Sequence, residues 1–201
     1  MPYIIRPRRP RSIVVAMLGA LFLAGAAPAI AGAASCPVQA SSHLLAKAGD
    51  NASYYQLRGS SFEEGRSGWT LNNAEVVEEA PEALETENSL QINPGGSAIS
   101  PAFCVSSEYP SFRFYAKRTG GGYFGHLNVT LRVTTSFGLT LYVPVRWWFG
   151  VGGENWALSP VLGLANELPL LGNSTVSVQL IFQSTGSTWS IDDVLIDPYS
   201  R

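Results

Sequence analysis

The sequence predicts an all-β protein, an antiparallel β-sandwich of the jelly-roll type, on three observations. Apolar and polar residues alternate with period two through most of the chain beyond residue 60, which is the pattern of half-buried strands. Clusters rich in Gly, Asn, Pro and Ser fall between the alternating runs, where turns belong. No window shows a helical period with caps; the nearest candidate, Leu162 to Leu168, is bounded by Pro160 and Pro169. Short strands with turns about every 8–12 residues point to a sandwich or jelly roll rather than a βαβ sheet.

The first 34 residues read as a secretory signal, cleaved near Ala33 or Ala34. Arg6, Arg8, Arg9 and Arg11 form a cationic head, Ile13 to Ala27 is an apolar run of 15 residues, and Ala29-Ile30-Ala31-Gly32-Ala33 supplies small residues for cleavage. That run is shorter than the roughly 20 apolar residues a spanning helix needs, so the mature chain is expected to be secreted with no transmembrane anchor. Arg8-Arg9 lacks the rest of a twin-arginine motif, and Ala33-Ala34-Ser35 lacks the large aliphatic residue that precedes a lipidated cysteine, which leaves lipidation at Cys36 as the alternative. Residues 35–59 are expected to form a disulfide-tethered tail and first strand, and 60–201 the sandwich domain.

The strands follow in order. Trp69-Thr70-Leu71 opens one and Ser89 to Ile92 forms the next, separated by Glu75 to Glu87, which holds six glutamates around Pro81. That acidic segment reads as a solvated loop, the alternative being a patch for calcium or a basic partner. Ala102 to Val105 is a short strand. Phe112, Phe114 and Ala116 alternate with Arg113, Tyr115 and Lys117; Leu127, Val129, Leu131 and Val133 alternate with Asn128, Thr130 and Arg132. Leu139, Leu141, Val143, Val145 and Trp147 alternate with Thr140, Tyr142, Pro144, Arg146 and Trp148, and Ser136-Phe137-Gly138 joins this run to its predecessor as an antiparallel hairpin. Val176, Val178, Leu180 and Phe182 alternate with Ser177, Gln179 and Gln183. Asn93-Pro94-Gly95-Gly96, Gly120-Gly121-Gly122, Gly150 to Gly153, Gly172-Asn173 and Thr185-Gly186-Ser187 are read as turns between strands.

Charge and cysteine usage narrow the function. The 34-residue leader carries four of the 13 Lys+Arg and none of the 15 Asp+Glu, which leaves 9 basic against 15 acidic residues in a 167-residue mature chain, a net charge of −6. Nucleic acid is therefore not an expected partner, because that binding rests on clustered Lys and Arg. The mature chain has two cysteines, Cys36 and Cys104, which in an exported protein pair most simply as one disulfide. It would close a loop of 69 residues, a constraint of roughly 4 kcal/mol in the chain-entropy model.

Several short motifs carry a resemblance. Phe62-Glu63-Glu64-Gly65 with Gly68-Trp69 resembles the opening of galactose-binding-like jelly-roll domains, the fold of many secreted carbohydrate-binding modules. Trp189, Ile191, Asp192-Asp193 and Val194 to Ile196 resemble their closing strand, and Trp156-Ala157-Leu158-Ser159 the strand after their long hairpin. The resemblance spans Ser60 to Pro198 and implies that fold and a carbohydrate-binding role. The early Cys36 with Phe103-Cys104-Val105 is similar to uncharacterised secreted proteins of actinobacteria, which implies no activity.

At the closing strand Trp189 and Ile191 face one way while Val194 and Ile196 are in the opposite phase. A slip of one residue at Asp192-Asp193 is the mark of a β-bulge, which would aim a carboxylate toward Glu63 or Glu64 on the first strand. In the family that this chain resembles, the corner often holds a structural Ca2+, which implies Glu63, Asp192 and Asp193 as candidate ligands. The alternative is that Asp192 or Asp193 caps turn amides and Glu63 is merely exposed.

Among the aromatics, Trp69, Trp147, Trp156 and Trp189 fall in the apolar phase or at family core positions and are expected inside. Trp148 lies on the polar phase with Tyr142 and Arg146; the hairpin partner adds Arg132, and Tyr115 extends the face if its strand is adjacent. Trp148, Tyr142, Arg146, Arg132 and Tyr115 are thus the candidate carbohydrate-binding set, the alternative being a solvent-facing sheet covered by long side chains. His43 and His126 belong to no nucleophile-elbow or zinc-protease motif, so no enzyme is expected. Two classes remain: a non-catalytic module for an extracellular glycan, and a structural or adhesive protein that contacts a cell-surface protein and binds no sugar.

Overall fold

The computed structural model describes residues 39–82, 86–105, 111–135, 138–145, 154–164 and 176–197, all within the compact unit Ala33–Arg201. The strands are β1 (Tyr55–Gln56), β2 (Thr70–Val77), β3 (Ser89–Ile99), β4 (Phe103–Val105), β5 (Ser111–Thr134), β6 (Thr140–Val145), β7 (Ala157–Leu158), β8 (Leu162–Gly163) and β9 (Val176–Asp197). A 3-10 turn spans Ala46–Ala48. The sheet runs β2-β3-β9-β5-β6; β1 and β4 add to β9, and β7 and β8 add to β5, every pair antiparallel. β5 and β6 form the expected hairpin, with Thr134 opposite Thr140.

This hydrogen-bonded ribbon becomes a sandwich by folding across its own strands. Phe114 lies in β5 level with residues 193–194 of β9, between the pairs Arg113–Leu195 and Tyr115–Asp192. Phe182 is about 11 residues away along β9, about 35 Å in a straight strand at ~3.3 Å per residue. The two rings nevertheless meet edge to face with centroids 5.0 Å apart, so β9 must double back between them. The ladders break at matching levels: between Asn72 and Ala74 in β2, Ile92 and Ser97 in β3, Gly121 and His126 in β5, opposite Thr185 to Ser187 in β9.

Three of the segments read as turns between strands are therefore bends within them. Asn93-Pro94-Gly95-Gly96, Gly120-Gly121-Gly122 and Thr185-Gly186-Ser187 lie inside β3, β5 and β9. Glycine serves here for close approach as well as for turning: a Cβ on Gly125 would stand 1.4 Å from Ser187 Oγ, and Gly186 adopts φ 72°.

Between the layers, Phe112, Phe114, Leu127, Leu131, Leu180, Phe182, Trp69 and Trp189 are buried in one core. Trp156 is half-buried at a second, smaller core on the outer side of one layer, where Leu45 and Tyr54 cover Tyr115 and Leu195. Residues 42–57 thus act as a strap over that face. The strap is fastened by Asp50, whose carboxylate accepts hydrogen bonds from Arg113 Nη1 (2.7 Å), Tyr54 Oη (2.7 Å) and the Ala52 amide (3.0 Å). Burial pushes the Asp50 carboxyl up, and these three bonds with the Arg113 charge outweigh it, leaving the group below its usual range.

Candidate functional site

Among the described residues, strap and sandwich leave one broad layer face uncovered, the outer side of β6, the second half of β5 and the first half of β9. Leu141, Val143, Val129, Leu131, Val133, Val178 and Leu180 of these strands point into the core, so alternation sends the intervening side chains outward. Tyr142 is 63% exposed. It stands directly opposite Arg132, and Arg132 opposite Gln179, so an aromatic ring, a guanidinium and an amide form one cross-strand row about 10 Å long, two strand spacings. Pro144 and Thr130 lie on one side of this row, and Thr140 and Thr134 on the other. Gln179 Nε2 donates to Ser100 O (2.9 Å), which fixes its amide. Arg132 Nε is buried, with no hydrogen-bond partner among the described residues. Such a row can stack the apolar face of a pyranose on the tyrosine and offer donors to hydroxyl groups.

Not every residue of the expected set belongs there. Tyr115 is 5% exposed and packs under the strap with Leu45, Tyr54 and Leu195; its strand is adjacent to β9 but in the other half of the ribbon, which the sequence could not show without the bend. Arg113 and Lys117 are likewise used internally, Arg113 on Asp50 and on Ser159 O (2.9 Å), Lys117 on Glu79. Arg146, Trp147 and Trp148 lie outside the described residues. Gln179 joins the row though it was not singled out; its signal was its place on the polar phase of Val176 to Phe182.

The acidic corner forms where β9 changes phase. Asp193 has φ 45°, and the register shifts between Arg113 and Tyr115 opposite it, so the expected bulge is present. Ser60, fully buried, holds it: the amide of Asp193 donates to Ser60 O (2.8 Å), and Ser60 Oγ both donates to Val194 O (3.2 Å) and accepts from Val194 N (3.1 Å). Asp192 Oδ1 accepts from the Asp193 amide (2.8 Å) and Oδ2 from Thr86 Oγ1 (3.0 Å). Asp193 Oδ1 accepts from Gln56 Nε2, while its Oδ2 is buried and has no donor among the described residues. Gln56 and Thr86 carried no signal in the sequence, because they arrive through the pairing of β1 with β9 and the return of the acidic segment.

Glu63 faces this corner but is spent on backbone. Its carboxylate accepts from the amides of Asn88 and Glu87 (2.9 Å each) and from Asn88 Nδ2 (3.0 Å), and the Asn88 amide leads in holding it below the usual carboxylate range. Burial, with the neighbouring Asp193 charge, pushes Asp192 up to about 9; burial, with a contribution from Glu63, pushes Asp193 up to about 6. Two adjacent buried carboxyl groups, both pushed up by burial, suit a hard cation in charge. The side-chain count falls short: among the described residues no three Asp, Glu, His or Cys side chains converge as a metal-holding group. The acidic segment is also no free loop, since Glu75 sits in β2, Glu79 pairs with Lys117, and Thr86 to Asn88 fold onto the corner.

Cys104 lies in β4, beside Ser177 of β9. Cys36, its expected partner, lies outside the described residues.

No protein-family model matches this chain, and no curated protein matches its sequence. Solved structures do match. The CBM22-1 xylan-binding domain of Paenibacillus barcinonensis Xyn10C is similar with a TM-score of 0.52 and 18% identity, over 82% of this chain and 100% of that domain. The tandem CBM22-1-CBM22-2 domain of the same protein is similar with a TM-score of 0.52 and 18% identity, over 83% of this chain and 49% of its own. At that identity the likeness is one of fold: this chain is an antiparallel β-sandwich of the jelly-roll type found in carbohydrate-binding modules.

Proposed function

We propose that this chain is an exported, non-catalytic glycan-binding module that holds a saccharide on the open layer face. The observation that carries the reading is the row Tyr142, Arg132, Gln179, an exposed aromatic with polar groups beside it, on the face left open while the chain's own strap covers the other. The two Xyn10C domains share its sandwich architecture, and the one described as xylan-binding makes neutral β-linked polysaccharide the first ligand to try. Arg146 and Trp148 extend the same face if the alternation of β6 continues.

Export rests on the leader, with residues 1–34 removed, 35–59 as tethered tail and first strand, and 60–201 as the domain. Among the described residues no helix is long and apolar enough to cross a membrane. A Ca2+ ion at Asp192 and Asp193, with Glu63 beside them, is part of the proposal because a cation is what two buried carboxylates lack. Its role would be structural, joining the bulge of β9 to the strand that carries Gln56.

A glycan array probed with residues 35–201 tests the reading. Retention of one class of neutral polysaccharide is expected. An array with no retained glycan would contradict it and favour the structural or adhesive alternative.

A further inference from the structure

A second surface, at the fold line of the ribbon, lies apart from the Tyr142 row. Arg118, Glu154 and the Glu79–Lys117 ion pair line a cleft together with Thr119, Gly120 and Gly121. Its charges balance, two acidic and two basic, so it has no preference for an anion, while carboxylate, ammonium and guanidinium groups together accept from and donate to vicinal hydroxyls. Gly120 and Gly121 line the cleft with backbone alone, which can offer hydrogen bonds to a ligand.

Beyond Gly121 the chain leaves the ladder: residues 122–125 stand out between the pairs Gly121–Ser187 and His126–Thr185. Phe124, within that bulge, is 90% exposed. The bulge is pinned from beneath. A Cβ at Gly121 would stand 2.5 Å from Ser187 Cα and one at Gly125 1.4 Å from Ser187 Oγ, and Ser187 Oγ donates to Gly122 O (3.1 Å). Phe124 is thus presented on tightly packed backbone, which lowers the ordering cost of using it as a contact. Three virtual bonds of 3.8 Å place its Cα within about 11 Å of that of Gly121, a span that a short oligosaccharide bridges.

We infer that this cleft and Phe124 form a second saccharide subsite, in which Phe124 supplies the stacking face, and Arg118, Glu154 and the outer lone pairs and protons of the Glu79–Lys117 pair bind hydroxyls of a neutral glycan. The inference rests on the glycan-binding reading and assigns it a second location. Calorimetric titration of residues 35–201 with xylohexaose and with β-1,4-galactotriose tests it, using Phe124→Ala and Glu154→Gln beside Tyr142→Ala. All three substituted side chains are exposed, so melting temperatures close to that of the wild type are expected. The expected result is a loss of about tenfold or more in affinity for both Phe124→Ala and Glu154→Gln, as truncation of binding hot spots produces. Wild-type binding that both variants keep within about twofold overturns the subsite and leaves the Tyr142 row standing. A wild type that binds neither probe overturns both.

Discussion

If β9 doubles back at Gly186, Phe114 and Phe182 should be energetically coupled although they lie far apart along the ribbon. Both rings are fully buried and meet at 5.0 Å, and Phe182 also lies 6.0 Å from Trp69. Truncation to Ala would cost roughly 3–5 kcal/mol at each site; the double variant would then lose most of the 5–15 kcal/mol that holds a domain together. Leucine is the better probe, since it removes less buried volume than alanine and still removes the aromatic pair. The cycle of Phe114→Leu, Phe182→Leu and the double variant should then show a coupling of about 0.5–1.5 kcal/mol, the value of an edge-to-face contact. Urea unfolding followed by fluorescence of the buried Trp69 and Trp189 reads it. Additivity within about 0.3 kcal/mol, as for distant sites, would refute the folded ribbon.

The acidic corner has a definite pH signature. Because the folded carboxyls of Asp192 and Asp193 are raised to about 9 and about 6 from 3.8, the folded state holds protons that the unfolded chain has released, so stability should fall as pH rises from about 4 to about 9. In chelator that slope should be present. Saturating Ca2+ should flatten it, raise the melting temperature and add about 2.7 kcal/mol of stability at a hundredfold excess over Kd; Asp192→Asn with Asp193→Asn should abolish these effects, and an unchanged wild-type melting temperature in chelator would exclude a stabilising metal. Gly125→Ala should cost about 1–3 kcal/mol as an overpacked site, whereas Gly122→Ala, whose Cβ would meet Gly186 O at 3.5 Å, should cost less; equal losses in thermal melts would contradict the locked bend. Exported protein should show no free thiol, with a Cys36–Cys104 peptide in its digest and a mass two hydrogens below the reduced form; two free thiols, or a lipid on Cys36, would overturn that pairing.

Alternation made the layer faces legible: Leu127 to Val133 and Val176 to Phe182 point inward where period two places them, and the phase slip at Asp192-Asp193 marked a real bulge with Asp193 at φ 45°. It could not distinguish a turn that ends a strand from a bend that folds one. Both need glycine, and only the pairing of β5 with β9 on either side of residues 122–125 separates them. The misplacement of Tyr115 follows from this, because its face depends on which half of the ribbon it occupies. The partners of the carboxylates were hidden for a different reason: Gln56, Thr86 and Asn88 reach Asp193, Asp192 and Glu63 through contacts 25 or more residues apart, which local patterns do not encode.

The most direct test of glycan binding on the open face is retention of a neutral β-linked polysaccharide by residues 35–201 in affinity electrophoresis, compared with Tyr142→Ala and Tyr142→Ala with Trp148→Ala. Tyr142 is exposed, so its removal should change stability by no more than about 0.5 kcal/mol. Retardation by the wild type, reduced in Tyr142→Ala and further reduced in the double variant at unchanged melting temperature, is the predicted result. Equal retardation of all three proteins, or none in the wild type, would contradict it.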